Sequence, residues 1–226
     1  MLHAIAIIPD GTRRYAKKHG IALNEAYEKG FDKVEEVLDW FLEQGEVKEA
    51  TFWGLSTENA YNRPREELGL LNELYKVHLE ELLENKKIFN NKVRVRIIGD
   101  RGVFQDDLRA VMKKVEDATA SHDKFSLNLA LAYGGKSELL NAVKTASTEK
   151  PVASLTEKDI EKHLAVQTNP DLVIRTSGIQ RLSGYLMWQS AYSELFFSKA
   201  LWPEFSREDL QEAVDFYKNT QRNFGK

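Results

Sequence analysis

The residues best suited to chemistry lie in two short polar stretches: Ile8-Pro9-Asp10-Gly11-Thr12-Arg13-Arg14, and RTSGIQRLSGYLMWQSAYSE from Arg175 to Glu194. Each sets arginines beside a carboxylate and small residues at the edge of an apolar run. Carboxylates hold hard cations, and arginines grip phosphate oxygens through a bidentate fork. Together they suit metal-assisted handling of a diphosphate. The first stretch also lies where a strand hands over to a helix, and helix starts attract anions.

Each signal has a plainer reading when taken alone. Asp10-Gly11 suits an ordinary turn after a strand. Arg13, Arg14, Lys17 and Lys18 suit a solvated helix face, and Ser56-Thr57-Glu58-Asn59 before Tyr61-Asn62-Arg63-Pro64 suits a polar loop. Leu186-Met187-Trp188 and Phe196-Phe197 read as core. The loop carrying Arg175, Arg181 and Ser183 is harder to dismiss, because two arginines directly after an apolar strand have little structural use. Glu194, between apolar neighbours, needs a partner or a metal if buried. The clusters gain weight jointly.

Other motifs fail. Gly135-Lys136-Ser137 imitates the end of a phosphate-binding loop, but Ala130 stands where that motif needs glycine. His3, His19, His78, His122 and His163 are scattered without metal-ligand spacing. No Gly-x-Ser-x-Gly elbow occurs.

These residues must be positioned by alternating strands and helices. Strands are expected at 3–8, 50–56, 93–98, 126–132 and 172–174. Helices are expected over 24–44 with Asn24 as cap and Gly45 as stop, 66–87, 105–120, after Gly135, and 207–222. Phe31, Val34, Leu38 and Phe41 make one face of the first of these helices. Such alternation favours a mostly parallel α/β sheet, whose ligands bind beyond the carboxyl ends of its strands. Asp10, Ser56, Gly99, Gly134 and Arg175 all follow strand ends, so one rim would hold the polar motifs.

Composition sets outer limits. With 226 residues, one domain spanning 1–226 is the expectation. A net charge of −3 leaves no basic surplus for nucleic acid, so none is expected as a partner. The chain has no cysteine, which removes thiolate catalysis and cysteine-based zinc sites and suits a cytoplasmic protein. The opening residues lack the pattern of a signal peptide, and no run approaches the roughly 20 apolar residues of a membrane span.

Five ordered blocks resemble the cis-prenyltransferases, typified by undecaprenyl diphosphate synthase and dehydrodolichyl diphosphate synthase. They run from IIPDGTRRYAKK through FWGLSTEN with NRPREEL, VRVRIIGD and LNLALAYGGKSELLNA to DLVIRTSGIQRLSGYLMWQSAYSELFF with LWPEF. The resemblance implies a six-stranded, mostly parallel sheet flanked by helices, a magnesium cofactor, and condensation of isopentenyl diphosphate with an allylic diphosphate. It also implies a homodimer, with a heteromer as the variant, and peripheral contact with a membrane for a lipid product.

By the same resemblance, Asp10 is the principal catalytic acid and a magnesium ligand, and Glu194 is the second ligand. Gly11, Thr12, Arg13, Arg14 and Tyr15 would cradle the allylic diphosphate, with Arg63 as a further cation. Ser56, Thr57 and Glu58 belong to the substrate loop, whose Asn59 assists proton removal. Arg175, Arg181, Leu182 and Ser183 match the isopentenyl diphosphate site. The growing chain would lie in an apolar tunnel between helices 24–44 and 66–87.

The chain departs from the family pattern, mostly near the allylic site. Thr12 replaces asparagine, Leu23 and Tyr27 replace an arginine and a histidine, and the Asn59–Arg63 loop is one residue longer. Ile179, Gly184 and Asn223 replace a glutamate, an asparagine and an arginine. Two alternatives follow: irregular, head-to-middle coupling of allylic diphosphates, or a non-catalytic partner subunit.

Overall fold

The computed structural model describes residues 1–221. The chain runs β1 (Ala4–Ile8), α1 (Thr12–His19), α2 (Leu23–Gln44), β2 (Glu49–Trp53), α3 (Thr57–Asn62), α4 (Arg65–Glu84) and α5 (Lys86–Asn90). It continues β3 (Val93–Ile98), α6 (Asp106–Thr119), β4 (Phe125–Ala130), α7 (Gly135–Glu149), α8 (Glu157–Glu161), β5 (Leu172–Arg175), β6 (Glu194–Phe197) and α9 (Arg207–Asn219). The strands form one sheet in the order β3-β4-β2-β1-β5-β6, and every pairing is parallel.

Position in the sheet explains strand composition. Every residue of β1 and β5 is buried, as expected of interior strands covered on both faces. Edge strand β3 instead alternates, exposing Arg94 between Val93 and Val95. Ile5 and Ile7 join the larger core with α2, α4, α6 and α9, whereas Ala6 and Ile8 face a smaller core around Tyr133, Tyr185 and Leu186. No helix among the described residues is long and apolar enough to cross a membrane.

Several expected boundaries move. Asn24 is not a cap: α1 ends at Gly20 in the left-handed region, and only Ile21 and Ala22 separate it from α2. Gly45 stops α2 as expected, with φ of 67°. The expected helix over 66–87 breaks at Asn85, whose side chain accepts from Lys87 N and starts α5. The stretch after Ser56 is the short helix α3, with Ser56 Oγ capping Asn59 N at 3.1 Å, rather than a loop. Edge strand β6 was not expected; its run Glu194-Leu195-Phe196-Phe197 is too short to signal a strand by alternation. Met187 in the supposed core run is exposed, while Leu186 is fully buried. The last helix ends at Asn219 with Thr220 as its extended C-cap, short of the expected 222, and Arg222 and Asn223 lie outside the described residues.

Candidate active site

Strands β1 and β5 are neighbours, yet the chain leaves β1 toward β2 and leaves β5 toward β6. Such a switch point opens a crevice at the strands' carboxyl ends. Asp10 and Arg175 stand there, since Arg175 is in register with Ile8. Arg175 Nη2 donates to Asp10 Oδ2 at 2.7 Å. The arginine side chain is only 7% exposed and the aspartate 32%, so the pair spans the passage from core to crevice.

The backbone around Asp10 is tightly held. Its N–H donates to Thr176 Oγ1 at 2.8 Å, and Thr176 Oγ1 donates to Asp10 O at 2.7 Å. Trp202 N donates to Asp10 O at 3.1 Å, and Trp202 Nε1 donates to Gly30 O at 2.8 Å, tying this turn to α2. Gly11 turns with φ of 116°, and a Cβ there would come within 2.9 Å of Leu201 Cδ2. Only glycine fits both the conformation and the space.

Beyond that turn, α1 begins with Thr12, Arg13 and Arg14. Its first backbone N–H groups have no partners within the helix, which favours an anion there. Arg14 Nη1 donates to Ser177 O at 3.0 Å, and its Nη2 lies 3.7 Å from Asp10 Oδ1. Tyr15 turns its ring against His19, with centroids 4.3 Å apart.

The second arginine group lies on the other side of the Asp10–Arg175 pair. Arg175 Nη1 donates to Ser183 Oγ at 2.9 Å and also to the Arg181 carbonyl. Arg181 Nε donates to the same Ser183 Oγ at 3.2 Å. Leu182 packs against the smaller core, which anchors the loop between the exposed Arg181 and Ser183. Ser177 and Ser183 both adopt positive φ, 79° and 53°. Strained backbone of this kind is found where surrounding structure enforces a functional geometry.

Below Asp10–Arg14 opens a cavity of about 530 Å³ between α2 and α4, above the sheet. Phe31, Val34, Leu38, Leu71, Leu79 and Leu131 are among its apolar lining. This is the tunnel expected between the two amphipathic helices. Where α2 faces the α4–α5 break its polar lining includes Glu35, Asp39, Asn85 and Lys87, with Asn85 Nδ2 donating to Glu35 Oε1 at 2.8 Å and Lys87 Nζ to Asp39 Oδ2 at 2.5 Å. Asn59 and Arg63 also line the cavity. Thr57 Oγ1 donates to Ala132 O at 3.0 Å, fixing the start of α3, and Glu58 is exposed.

Two sequence expectations change here. Tyr27 is not a lost polar group: its hydroxyl accepts from Arg63 Nη1 at 2.9 Å beside the cavity. Glu194 does not meet Asp10 within one chain. It pairs with Leu172 while Phe197 pairs with Arg175, which puts it about 10 Å along the strand from the level of Arg175. Glu67 was not anticipated as a site residue; its place in the first turn of α4, four residues after Arg63, was the available signal.

Among the described residues no group of three or more histidine or acidic side chains could hold a metal. Asp10 instead offers one carboxylate beside arginines. That donor set fits magnesium, which keeps its waters and binds through one or two carboxylates plus substrate phosphates.

Residues 8–225 match the prenyltransferase family model described as "Putative undecaprenyl diphosphate synthase". The chain is 41% identical over 227 residues to the tritrans,polycis-undecaprenyl-diphosphate synthase (geranylgeranyl-diphosphate specific) of Pyrobaculum aerophilum, covering 98% of this chain and 95% of that one. It is 42% identical to the isoprenyl transferase of Thermus thermophilus, covering 98% and 88%. Among solved structures, lavandulyl diphosphate synthase from Lavandula x intermedia, in complex with dimethylallyl diphosphate, superposes with a TM-score of 0.92 at 28% identity, covering 99% and 98%.

Proposed function

The chain belongs to the undecaprenyl diphosphate synthase family of cis-prenyltransferases, and on that premise we propose how its two arginine groups divide the substrates. The reaction condenses isopentenyl diphosphate with an allylic diphosphate. Arg13, Arg14 and Arg63, with the N–H groups of Gly11 and Thr12, receive the allylic diphosphate, and its prenyl chain enters the apolar cavity. Arg175, Arg181 and Ser183 receive isopentenyl diphosphate. The observation that carries this assignment is the 2.7 Å contact of Asp10 with Arg175, which sets one carboxylate between the two cationic groups.

Breaking the allylic C–O bond sends the electron pair onto the departing diphosphate, so cations aimed at that oxygen lower the barrier. Asp10 would hold magnesium, which when bound supplies further positive charge to the leaving group. The isopentenyl double bond then attacks the allylic carbon, and loss of a proton completes the condensation. Asn59, on the cavity wall, assists that proton removal. Ser56, Thr57 and Glu58, at the cap and first turn of α3, adjoin the substrate.

Glu194 serves as a metal ligand only across a pair of subunits, given its distance from Asp10. Edge strand β6, with Leu195 37% exposed and Tyr192, just before the strand, 83% exposed, supports a homodimer through this side. The primer is geranylgeranyl diphosphate, the substrate for which the Pyrobaculum relative is named.

The test is mass analysis of products from the purified chain with isopentenyl diphosphate, magnesium, and dimethylallyl, geranyl, farnesyl or geranylgeranyl diphosphate. A series of polyprenyl diphosphates, fastest from geranylgeranyl diphosphate, is expected. A branched product from dimethylallyl diphosphate alone would replace this reading with irregular coupling. Product only after addition of a second protein would mark the chain as a partner subunit.

A further inference from the structure

At the diphosphate end of the cavity, a single carboxylate oxygen gathers groups from separate helices. Glu67 Oε1, on α4, accepts from Tyr27 Oη of α2 at 2.5 Å. It also lies 3.2 Å from Arg63 Nη1, at the α3–α4 junction, and 3.2 Å from Arg13 Nε of α1. The Tyr27 hydroxyl in turn accepts from Arg63 Nη1 at 2.9 Å, so its one proton goes to Glu67 and its lone pair to the arginine. The carboxylate is well covered, with its side chain 11% exposed, and Arg63 is 15% exposed. Arg13, Tyr27 and Arg63 line the cavity, whereas Glu67 stands behind them.

We infer that Glu67, acting with the Tyr27 hydroxyl, is a positioning residue that aims Arg13 and Arg63 at one allylic diphosphate. The inference rests on the assignment of those arginines made above and adds the residues that orient them.

The charge balance favours orientation over neutralisation. One carboxylate facing two guanidinium groups leaves one positive charge directed at the cavity. Glu67 approaches Arg13 through Nε, the nitrogen nearest the backbone, and Arg63 Nε is buried with no hydrogen-bond partner among the described residues. At 3.2 Å each contact is looser than the 2.7–2.9 Å usual for a strong charged pair. The arginines are therefore steered without being saturated. Tyr27 remains a neutral phenol, because burial first and then the hydrogen bond to Glu67 raise its pKa. It can keep both roles across the range in which the enzyme would be assayed. Preorganised donors avoid the cost of ordering flexible side chains when the ligand arrives.

The alternative is that Glu67 only staples α1, α2 and α4 together. Steady-state kinetics of Glu67→Gln, Tyr27→Phe, Arg63→Ala and Arg13→Ala separate the two, with KM measured for each substrate. Glu67→Gln should raise the allylic KM about tenfold or more, the scale of a lost charged hydrogen bond, and leave the isopentenyl KM within about twofold. Tyr27→Phe should raise the allylic KM by a smaller factor, about threefold. Combining Glu67→Gln with Arg63→Ala should cost less than the product of the separate effects, since they act through a shared group.

An unchanged allylic KM in Glu67→Gln, or equal rises for both substrates, would overturn the inference alone. Should Glu67→Gln fail to fold, Tyr27→Phe decides by the same criterion. If Arg13→Ala and Arg63→Ala leave the allylic KM unchanged, the underlying substrate assignment falls with it.

Discussion

Arg175 reaches Asp10 across the β1–β5 seam, donating from Nη2 to Oδ2 at 2.7 Å while its Nη1 binds Ser183 Oγ at 2.9 Å. One buried guanidinium thereby links the carboxylate of the first arginine group to the loop of the second.

Substituting Asp10→Asn should keep the fold and reduce turnover by about two orders of magnitude or more, as when an electrostatic contributor to the transition state is lost. Asp10→Ala should in addition lower the melting temperature, because Arg175 then remains buried without its carboxylate. Turnover numbers and thermal melts of both variants check this. Near-normal turnover in Asp10→Asn would remove the residue from the chemistry.

Arg181→Ala should weaken isopentenyl diphosphate by about tenfold, a loss in keeping with one charged hydrogen-bonding group, and leave the allylic KM nearly unchanged. The Arg181 side chain is exposed and donates through Nε to Ser183 Oγ of its own loop, so the fold should not suffer. The two KM values measured side by side decide it, and a rise confined to the allylic substrate would reverse the assignment.

Mixing Asp10→Ala subunits with Glu194→Ala subunits, each inactive alone, should restore activity after exchange. A mixed dimer then holds one site with both native carboxylates. About a quarter of native activity is expected from random pairing of symmetric dimers. No recovery after demonstrated subunit exchange would refute a role for Glu194 across the interface.

Glu204 accepts from Lys18 Nζ at 2.6 Å and His19 Nε2 at 2.8 Å, clasping the end of α1 that carries Arg13 and Arg14 at its start. The Lys18 hydrogen bond first, then that of His19, lowers the Glu204 pKa. A folded-state value below the unfolded one, about 4.3, stabilises the protein above that pH, and the benefit fades as pH falls through the lower value. Glu204→Gln should therefore melt earlier than the native chain near pH 7, by roughly 1 kcal/mol or less for so accessible a pair. The gap should close below about pH 4. Melting curves recorded from pH 7 to pH 3 test this, and a gap independent of pH would show that the clasp is not ionic.

Taken by itself, the sequence determined the alternation of strand and helix, the parallel sheet and the rim on which the motifs gather. These follow from local patterns: the apolar runs of β1 and β5, the helical face Phe31-Val34-Leu38-Phe41, and Asp10 and Arg175 just beyond or at strand ends. Gly45 was legible as a stop because only left-handed backbone was needed there. Tertiary structure decided what depends on residues distant in the chain. Asp10 and Arg175 become partners because β1 pairs with β5, and Tyr27 with Glu67 because α2 crosses α4. Strand register carried Glu194 away from Asp10, and no spacing along the chain reports register. A motif names the groups available for chemistry; their distances are set by the packing of elements whose contacts have no signature in local sequence.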